Sequence, residues 1–307
     1  MIKIITSIVI ILFGITTAFA QIESEEIVIK NGEIELPGTL TFTKEKSPLI
    51  IWVHGSGNVD RNGNQAGTPV KANYIKEFRD SVNKKNIAFF SYDKRTANKK
   101  NYPYLKDTKI RDFVIDVETV ISHLKKEKQF SKIILAGHSQ GSLIAMLASK
   151  NIDKYISIAG AGETIDKIMT QQIKKNNPML GVIVKKQFDT LRIRGKIEKI
   201  NPFLVTIFSK RNQPFLYSWL QIDPLEEIKK LTIPTLIIQG EKDTQVTIED
   251  AKKLKEANAN AKLVFIKNMN HVLKTIEKEE DNLKSYYSSD FPLSKELIET
   301  VVQFVNK

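Results

Sequence analysis

The spacing of polar and apolar positions changes its period along the chain. From Glu25 to Thr43 the two kinds alternate around Asn31-Gly32, a pair suited to a two-residue hairpin turn, and this predicts an antiparallel pair of strands at the edge of a sheet. Short unbroken apolar runs follow at Pro48 to Val53, Ile87 to Tyr92, Lys132 to Ala136, Tyr155 to Ala159, Pro234 to Gln239 and Lys262 to Ile266. A run without polar alternation suits a strand covered on both faces, as in a parallel sheet. Between such runs the period becomes helical: Phe113, Val117, Val120, Ile121 and Leu124 share one face of a helix from Asp112 to Leu124. Strand and helix periods taking turns predict an α/β chain with a mostly parallel, doubly wound sheet.

One interval breaks the rhythm. About sixty residues, Glu163 to Ile222, separate two consecutive apolar runs, where a crossover needs roughly fifteen to twenty. Inside it, Ile165, Ile168 and Met169, and then Leu180, Ile183, Val184 and Leu191, keep helical spacing. The expectation is a helical cap at about 163–222 inserted into one domain spanning 21–307. No internal repeat is present.

The first twenty residues run from Lys3 through an apolar stretch to Ala18-Phe19-Ala20, a small-x-small site that predicts a cleaved signal peptide over 1–20. The mature chain then begins at Gln21, is secreted or periplasmic, and retains no stable membrane span. With no cysteine, a thiol nucleophile, disulfides and thiolate zinc sites are excluded, so a nucleophile here is an oxygen. The net charge of +12 rests on 40 Lys and 7 Arg scattered over the whole length. Base and phosphate recognition favours Arg forks with interleaved aromatics, so no nucleic-acid partner is implied.

The chemistry centres on Gly137-His-Ser139-Gln-Gly141, which follows the run at Lys132 to Ala136 and precedes the apolar Leu143-Ile-Ala-Met. This is G-x-S-x-G between a strand and a helix, a sharp turn that lifts a serine oxygen out of a sheet and leaves room for no side chains beside it. Serine needs a base. His138 adjoins the serine and should point away, His123 falls on the polar side of a helix, and His54 in His54-Gly-Ser-Gly57 suits packing. His271, just after the last apolar run, remains. A carboxylate must orient that histidine, and Asp243, in Gly240-Glu-Lys-Asp243 at the end of the preceding run, is favoured over its competitor Glu241. The backbone amides of Gln140, at a helix N-terminus, and of Ser56 are expected to form the oxyanion hole.

Taken together, His54-Gly-Ser-Gly with Asp60-Arg61, Ser91-Tyr-Asp-Lys-Arg95, the Ser139 turn, Gln213-Pro-Phe, Asp223-Pro224, Gly240-Glu-Lys-Asp243 and Asn270-His271 resemble the alpha/beta-hydrolase superfamily. More narrowly they resemble bacterial esterases of the dienelactone-hydrolase-like group. The resemblance implies the alpha/beta-hydrolase fold and hydrolysis of small-molecule carboxylic esters through an acyl-enzyme. It departs in two places. Thr96-Ala-Asn-Lys stands where glycines usually follow the Tyr-Asp-Lys-Arg run, and the cysteine nucleophile of dienelactone hydrolases proper is absent.

No cofactor or metal is implied. Asp60-x-Asn62-x-Asn64 opens like a calcium loop, but Gln65 replaces the turn glycine and Lys71 the final glutamate. The alternatives are a serine peptidase or amidase of the same fold, and a non-catalytic binding protein on a hydrolase scaffold. Finally, residues 163–222 hold eleven Lys and Arg against four acidic residues, with Phe188, Phe203, Phe208, Phe215, Tyr217 and Trp219 among them. That composition predicts a basic rim over an apolar pocket and a preference for anionic esters.

Overall fold

The computed structural model describes residues 21–127 and 129–307, so the predicted signal peptide at 1–20 lies outside the described residues. Strands β1 (Glu23–Asn31) and β2 (Ile34–Phe42) form the N-terminal hairpin. Asn31 faces Ile34, which makes the two turn residues Gly32 and Glu33, one position later than the sequence pattern suggests. Register decides this: Ile29 opposite Leu36 buries both side chains, and a slip of one residue would turn them outward. Gly32 adopts φ +58°, which costs a glycine little.

The remaining strands are β3 (Ser47–Val53), β4 (Ala88–Tyr92), β5 (Phe130–His138), β6 (Lys154–Ile158), β7 (Thr235–Gly240) and β8 (Lys262–Ile266). They complete an eight-stranded sheet in the order β1-β2-β4-β3-β5-β6-β7-β8. β1 and β2 pair antiparallel, β2 runs antiparallel to β4, and every other pair is parallel. Helices α1 (Tyr74–Asn83), α2 (Ile110–Leu124) and α3 (Gln140–Leu147) fall between the early strands. Alternate residues of β3 feed separate cores. Leu49, Ile51 and Val53 pack with α2 and α3, whereas Ile50 and Trp52 pack with Ile75, Phe78 and Val82 of α1. Each face of the sheet thus has its own apolar layer, as a doubly wound fold requires. The run assigned to β8 is not covered on both faces: Lys262 is exposed and only Ile266 is fully buried. It is the last strand of the sheet order, with β7 as its single neighbour among the described residues.

Between β6 and β7 lie α4 (Ile165–Asn176), α5 (Pro178–Arg194), α6 (Val205–Phe208), α7 (Gln213–Leu220) and α8 (Pro224–Lys229). Ile165, Val184, Phe188, Leu191, Phe208, Leu216 and Leu220 give this segment a separate apolar cluster. The buried Gln213 amide pins it, donating to the Ile197 and Phe208 carbonyls and accepting from the Ile197 amide, all at 2.8–2.9 Å. Asp223 caps α8 through the Leu225 amide, with Pro224 at the first helical position. After β7 come α9 (Ile248–Ala257), then α10 (Asp281–Lys284) and α11 (Lys295–Asn306), the last packed on the α1 side. Among the described residues, no helix is long and apolar enough to cross a membrane.

Candidate active site

The chain leaves β3 for β4 on one side and then returns to place β5 on the other side of β3. Strand order therefore reverses between β3 and β5, and a crevice opens beyond their carboxyl ends, the usual ligand position in such sheets. Val53 lies opposite Gly137 there, so the loops His54-Gly-Ser-Gly57 and His138-Ser139-Gln140 start side by side.

Ser139 sits at φ +54°, ψ −122° between β5 and α3, a conformation disfavoured for any side chain and held by its surroundings. Its amide donates to the Ile158 carbonyl at 2.9 Å. The glycines on either side are there because nothing larger fits. A Cβ on Gly141 would meet the Val53 carbonyl oxygen at 2.1 Å, and one on Gly137 would meet that of Gly141 at 2.4 Å. Ser139 is half-buried and faces a cavity.

Asp243 and His271 come from the loops after β7 and β8, which neighbouring amides clamp together: Glu241 donates to Ile266 and Lys242 to Met269, both at 3.0 Å. The His271 Nδ1–H donates to Asp243 Oδ2 at 2.8 Å. Asp243, its side chain wholly buried, also accepts from Gln239 Nε2 at 3.2 Å and from the Gln245 and Val246 amides at 2.8 and 3.0 Å. Burial pushes this carboxyl up, but His271, as charge and as donor, with the Val246 and Gln245 amides, outweighs burial and holds it below the usual carboxylate range. It is therefore an acceptor at neutral pH, and Nδ1 is the His271 ring nitrogen that donates to it. Glu241 is exposed instead.

Ser139 and His271 line one cavity of about 860 Å³, together with Ser56 and Gln140. The Gln140 N–H is the first of α3 and has no carbonyl one turn back to receive it. The other histidines have other duties. His138 donates from Nε2 to the His271 carbonyl at 2.8 Å and stacks on Trp52, with burial lowering its pKa to about 3. His54 is buried edge-on against Tyr92, with both ring nitrogens unpartnered among the described residues; burial and the Lys94 charge lower its pKa to about 3.

Residues Asp93, Lys94 and Arg95 at the end of β4 point in three directions. Asp93 forms a two-pronged pair with Arg61 of the loop after β3, at 3.0 and 2.9 Å. Arg95 does the same with the buried Asp116 of α2, at 2.6 and 2.7 Å. Between them Lys94, also buried, donates from Nζ to the Gly55 carbonyl at 2.7 Å and to Gln140 Oε1 at 2.8 Å. Burial pulls this amine down to about 7, with partial opposition from Asp116.

The far wall of the cavity is apolar, with Ile165, Ile168, Met169, Ile207, Phe215 and Trp219 from the helices between β6 and β7. The six aromatics of that segment divide. Phe215 and Trp219 line the cavity, Phe188 and Phe208 pack on each other at 4.8 Å, and Phe203 and Tyr217 are exposed. The cations are sorted as well: of the eleven in 163–222, Arg211 alone lines the cavity among the described residues. The basic rim expected from composition is thus one arginine, because Lys and Arg on a helical surface take the solvent face.

The family model described as BD-FAE matches residues 39–257. The chain belongs to this family. The match runs from β2 through α9 and takes in Ser139 and Asp243, with His271 beyond it. Esterase EstD of Thermotoga maritima is 27% identical over 296 residues, 93% of this chain and 68% of that protein. Est1E of Butyrivibrio proteoclasticus, solved with ferulic acid bound, superposes with a TM-score of 0.61 at 22% identity, covering 92% of this chain and 100% of the other. An esterase from Pyrococcus furiosus gives 0.60 at 17%, covering 92% and 91%. The fold of this BD-FAE member is the alpha/beta-hydrolase fold.

Sequence reasoning passed over three residues of this BD-FAE site: Lys94, His138 and Gln239. Lys94 had a visible signal, its place in Tyr92-Asp-Lys-Arg95 at a strand end. Gln239 ends an apolar run and His138 sits in the serine turn, and only the structure shows them bonded to Asp243 and to the His271 carbonyl.

Proposed function

We propose that the protein is an ester hydrolase working through a covalent acyl-enzyme, with Ser139 as nucleophile, His271 as base and acid, and Asp243 as the group that orients His271. The observation that carries this reading is the buried Asp243–His271 hydrogen bond, which leaves Nε2 as proton acceptor on the wall shared with the strained Ser139. In the first half-reaction Nε2 takes the Ser139 hydroxyl proton as Oγ bonds to the ester carbon. The tetrahedral oxyanion lies against the Ser56 and Gln140 amides, and it collapses as the alcohol leaves with the proton from Nε2. Water repeats the sequence on the acyl-serine and releases the acid.

The apolar wall with Phe215 and Trp219 supports an acyl or aryl group on the acid side, and the ferulic acid bound to Est1E makes hydroxycinnamoyl esters the aryl member to try first. Peptidase action is less well served. Glu163, the one carboxylate among the described residues lining the cavity, is engaged by Lys253 and Gln171 and so is not offered to a substrate amine. The mature protein is further proposed to begin at Gln21 and to act outside the cytoplasm; intact-mass analysis from the native host tests this, and a retained Met1 would refute it.

A fluorophosphonate probe tests the mechanism: labelling should map to Ser139, and aryl and alkyl esters should turn over well ahead of aminoacyl anilides. Ester turnover that survives complete labelling of Ser139 would sink the reading.

A further inference from the structure

We propose that Lys94 is a positioning residue for the oxyanion hole, gripping both strands of that hole at once through the Gly55 carbonyl and the Gln140 side chain. This rests on the serine mechanism above. In a trans peptide the carbonyl and the following N–H point to opposite sides. Holding the Gly55 oxygen at 2.7 Å therefore directs the Ser56 N–H away from Lys94 and fixes the plane of that peptide. The second bond, 2.8 Å to Gln140 Oε1, anchors the residue whose own amide is the other oxyanion donor. The same Nζ thus sets the spacing between two amides that come from different loops.

The setting of Lys94 argues against a purely structural lysine. A buried ammonium is expensive, and an ordinary solution is a carboxylate partner. Lys274 has one: its fully buried side chain donates to both oxygens of Glu77, at 2.6 and 2.7 Å. Among the described residues, Lys94 hydrogen-bonds to no carboxylate. The charged groups around it are Asp116 of α2 and Arg95 of the loop after β4, which close on each other, with His54 of the loop after β3 and Tyr92 on the same small cavity. Its other neighbour is the face of Phe113, 4.9 Å from Nζ. Both of its acceptors are neutral oxygens, and both belong to the oxyanion loops. An amine and an ammonium each supply two N–H donors for them, so the grip survives either ionisation state.

Fixed donors matter here because the oxyanion hole works by having its dipoles aimed before the charge develops. Loosening one of them should cost turnover and leave ground-state binding alone. In Lys94→Met, kcat should fall about 10- to 100-fold with KM within about threefold. Affinity for phenylboronic acid, which mimics the tetrahedral intermediate, should fall by a factor similar to the loss in kcat/KM. Lys94→Arg should recover part of the loss, since it can donate to both acceptors. Gln140→Met keeps its amide but frees the loop, so it should lower kcat too, and the double variant should be little worse than Lys94→Met alone.

End-point fluorophosphonate labelling counts competent sites and separates the outcomes. If wild-type Ser139 is not labelled, the serine mechanism and this inference fall together. If it is labelled and Lys94→Met keeps kcat within about threefold, or loses activity only in proportion to lost labelled sites, the role of Lys94 alone is overturned.

Discussion

On the sheet side of the cavity, Asp243 accepts four hydrogen bonds, and the His271 loop is braced from beneath. There Asn270 donates to Ser285 at 2.7 Å and accepts from the Lys274 amide at 3.0 Å, while Lys274 ties the loop to Glu77 of α1. Across the cavity, the wall from α4 and α7 offers Ile168, Met169, Phe215 and Trp219, and its Arg211 is exposed with no ion-pair partner among the described residues. Directional bonds fix angles, whereas apolar contacts fix little more than volume. In the proposed mechanism, reaction geometry is confined to the loops at the carboxyl ends of the strands, and substrate fit is left to the helices between β6 and β7. If that division holds, substitutions in those loops should act on kcat and those in the cap on KM.

The sharpest way to break the comparison is Ser139→Ala. Ester turnover should fall by about 10⁴-fold or more with the melting temperature almost unmoved, since one oxygen leaves a half-buried position; retention of more than about a thousandth of wild-type kcat would remove Ser139 from its role. Asp243→Asn comes next, with an expected loss of up to about 10⁴-fold in kcat at unchanged KM. A rise in KM of similar size would mean that this loop binds substrate.

Stability against pH tests whether the sheet side is as dry as its bonds suggest. In the unfolded chain a histidine protonates near pH 6.5, whereas folded His54 and His138 stay neutral down to about 3. Unfolding then takes up protons over that window, so stability is complete above about pH 6.5 and falls on acidification. The cost is about 2 kcal/mol per histidine at pH 5. His54→Phe should remove one share of the slope in calorimetric scans from pH 7 to 4.5, and an unchanged slope would place water around His54.

Smaller effects belong to the cap. Trp219→Ala should raise KM for an aryl ester about three- to tenfold with kcat nearly constant; a fall in kcat alone would reverse the assignment of labour. Arg211 bears on anionic substrates. A carboxylate-bearing ester should exceed its neutral match in kcat/KM by about two- to threefold at low salt, and both high salt and Arg211→Ala should erase the difference. Equal values throughout would reduce the cap's charge to a matter of solubility.

The sequence by itself determined the strand sites, the helical face at Asp112 to Leu124 and the Gly137-His-Ser139-Gln-Gly141 turn, because these depend on local period and on backbone room beside a glycine. It also narrowed the candidate base to His271 by elimination among four histidines. Tertiary structure decided which carboxylate meets that histidine: Asp243 and Glu241 are two residues apart on one loop, and only the clamp between the β7 and β8 loops turns one inward and the other to solvent. It decided which of six aromatics in 163–222 line the cavity and how few of eleven cations do, since composition carries no direction. Lys94 is the plainest case. Its two acceptors lie 39 and 46 residues away, on loops that become neighbours only where the order of strands reverses between β3 and β5.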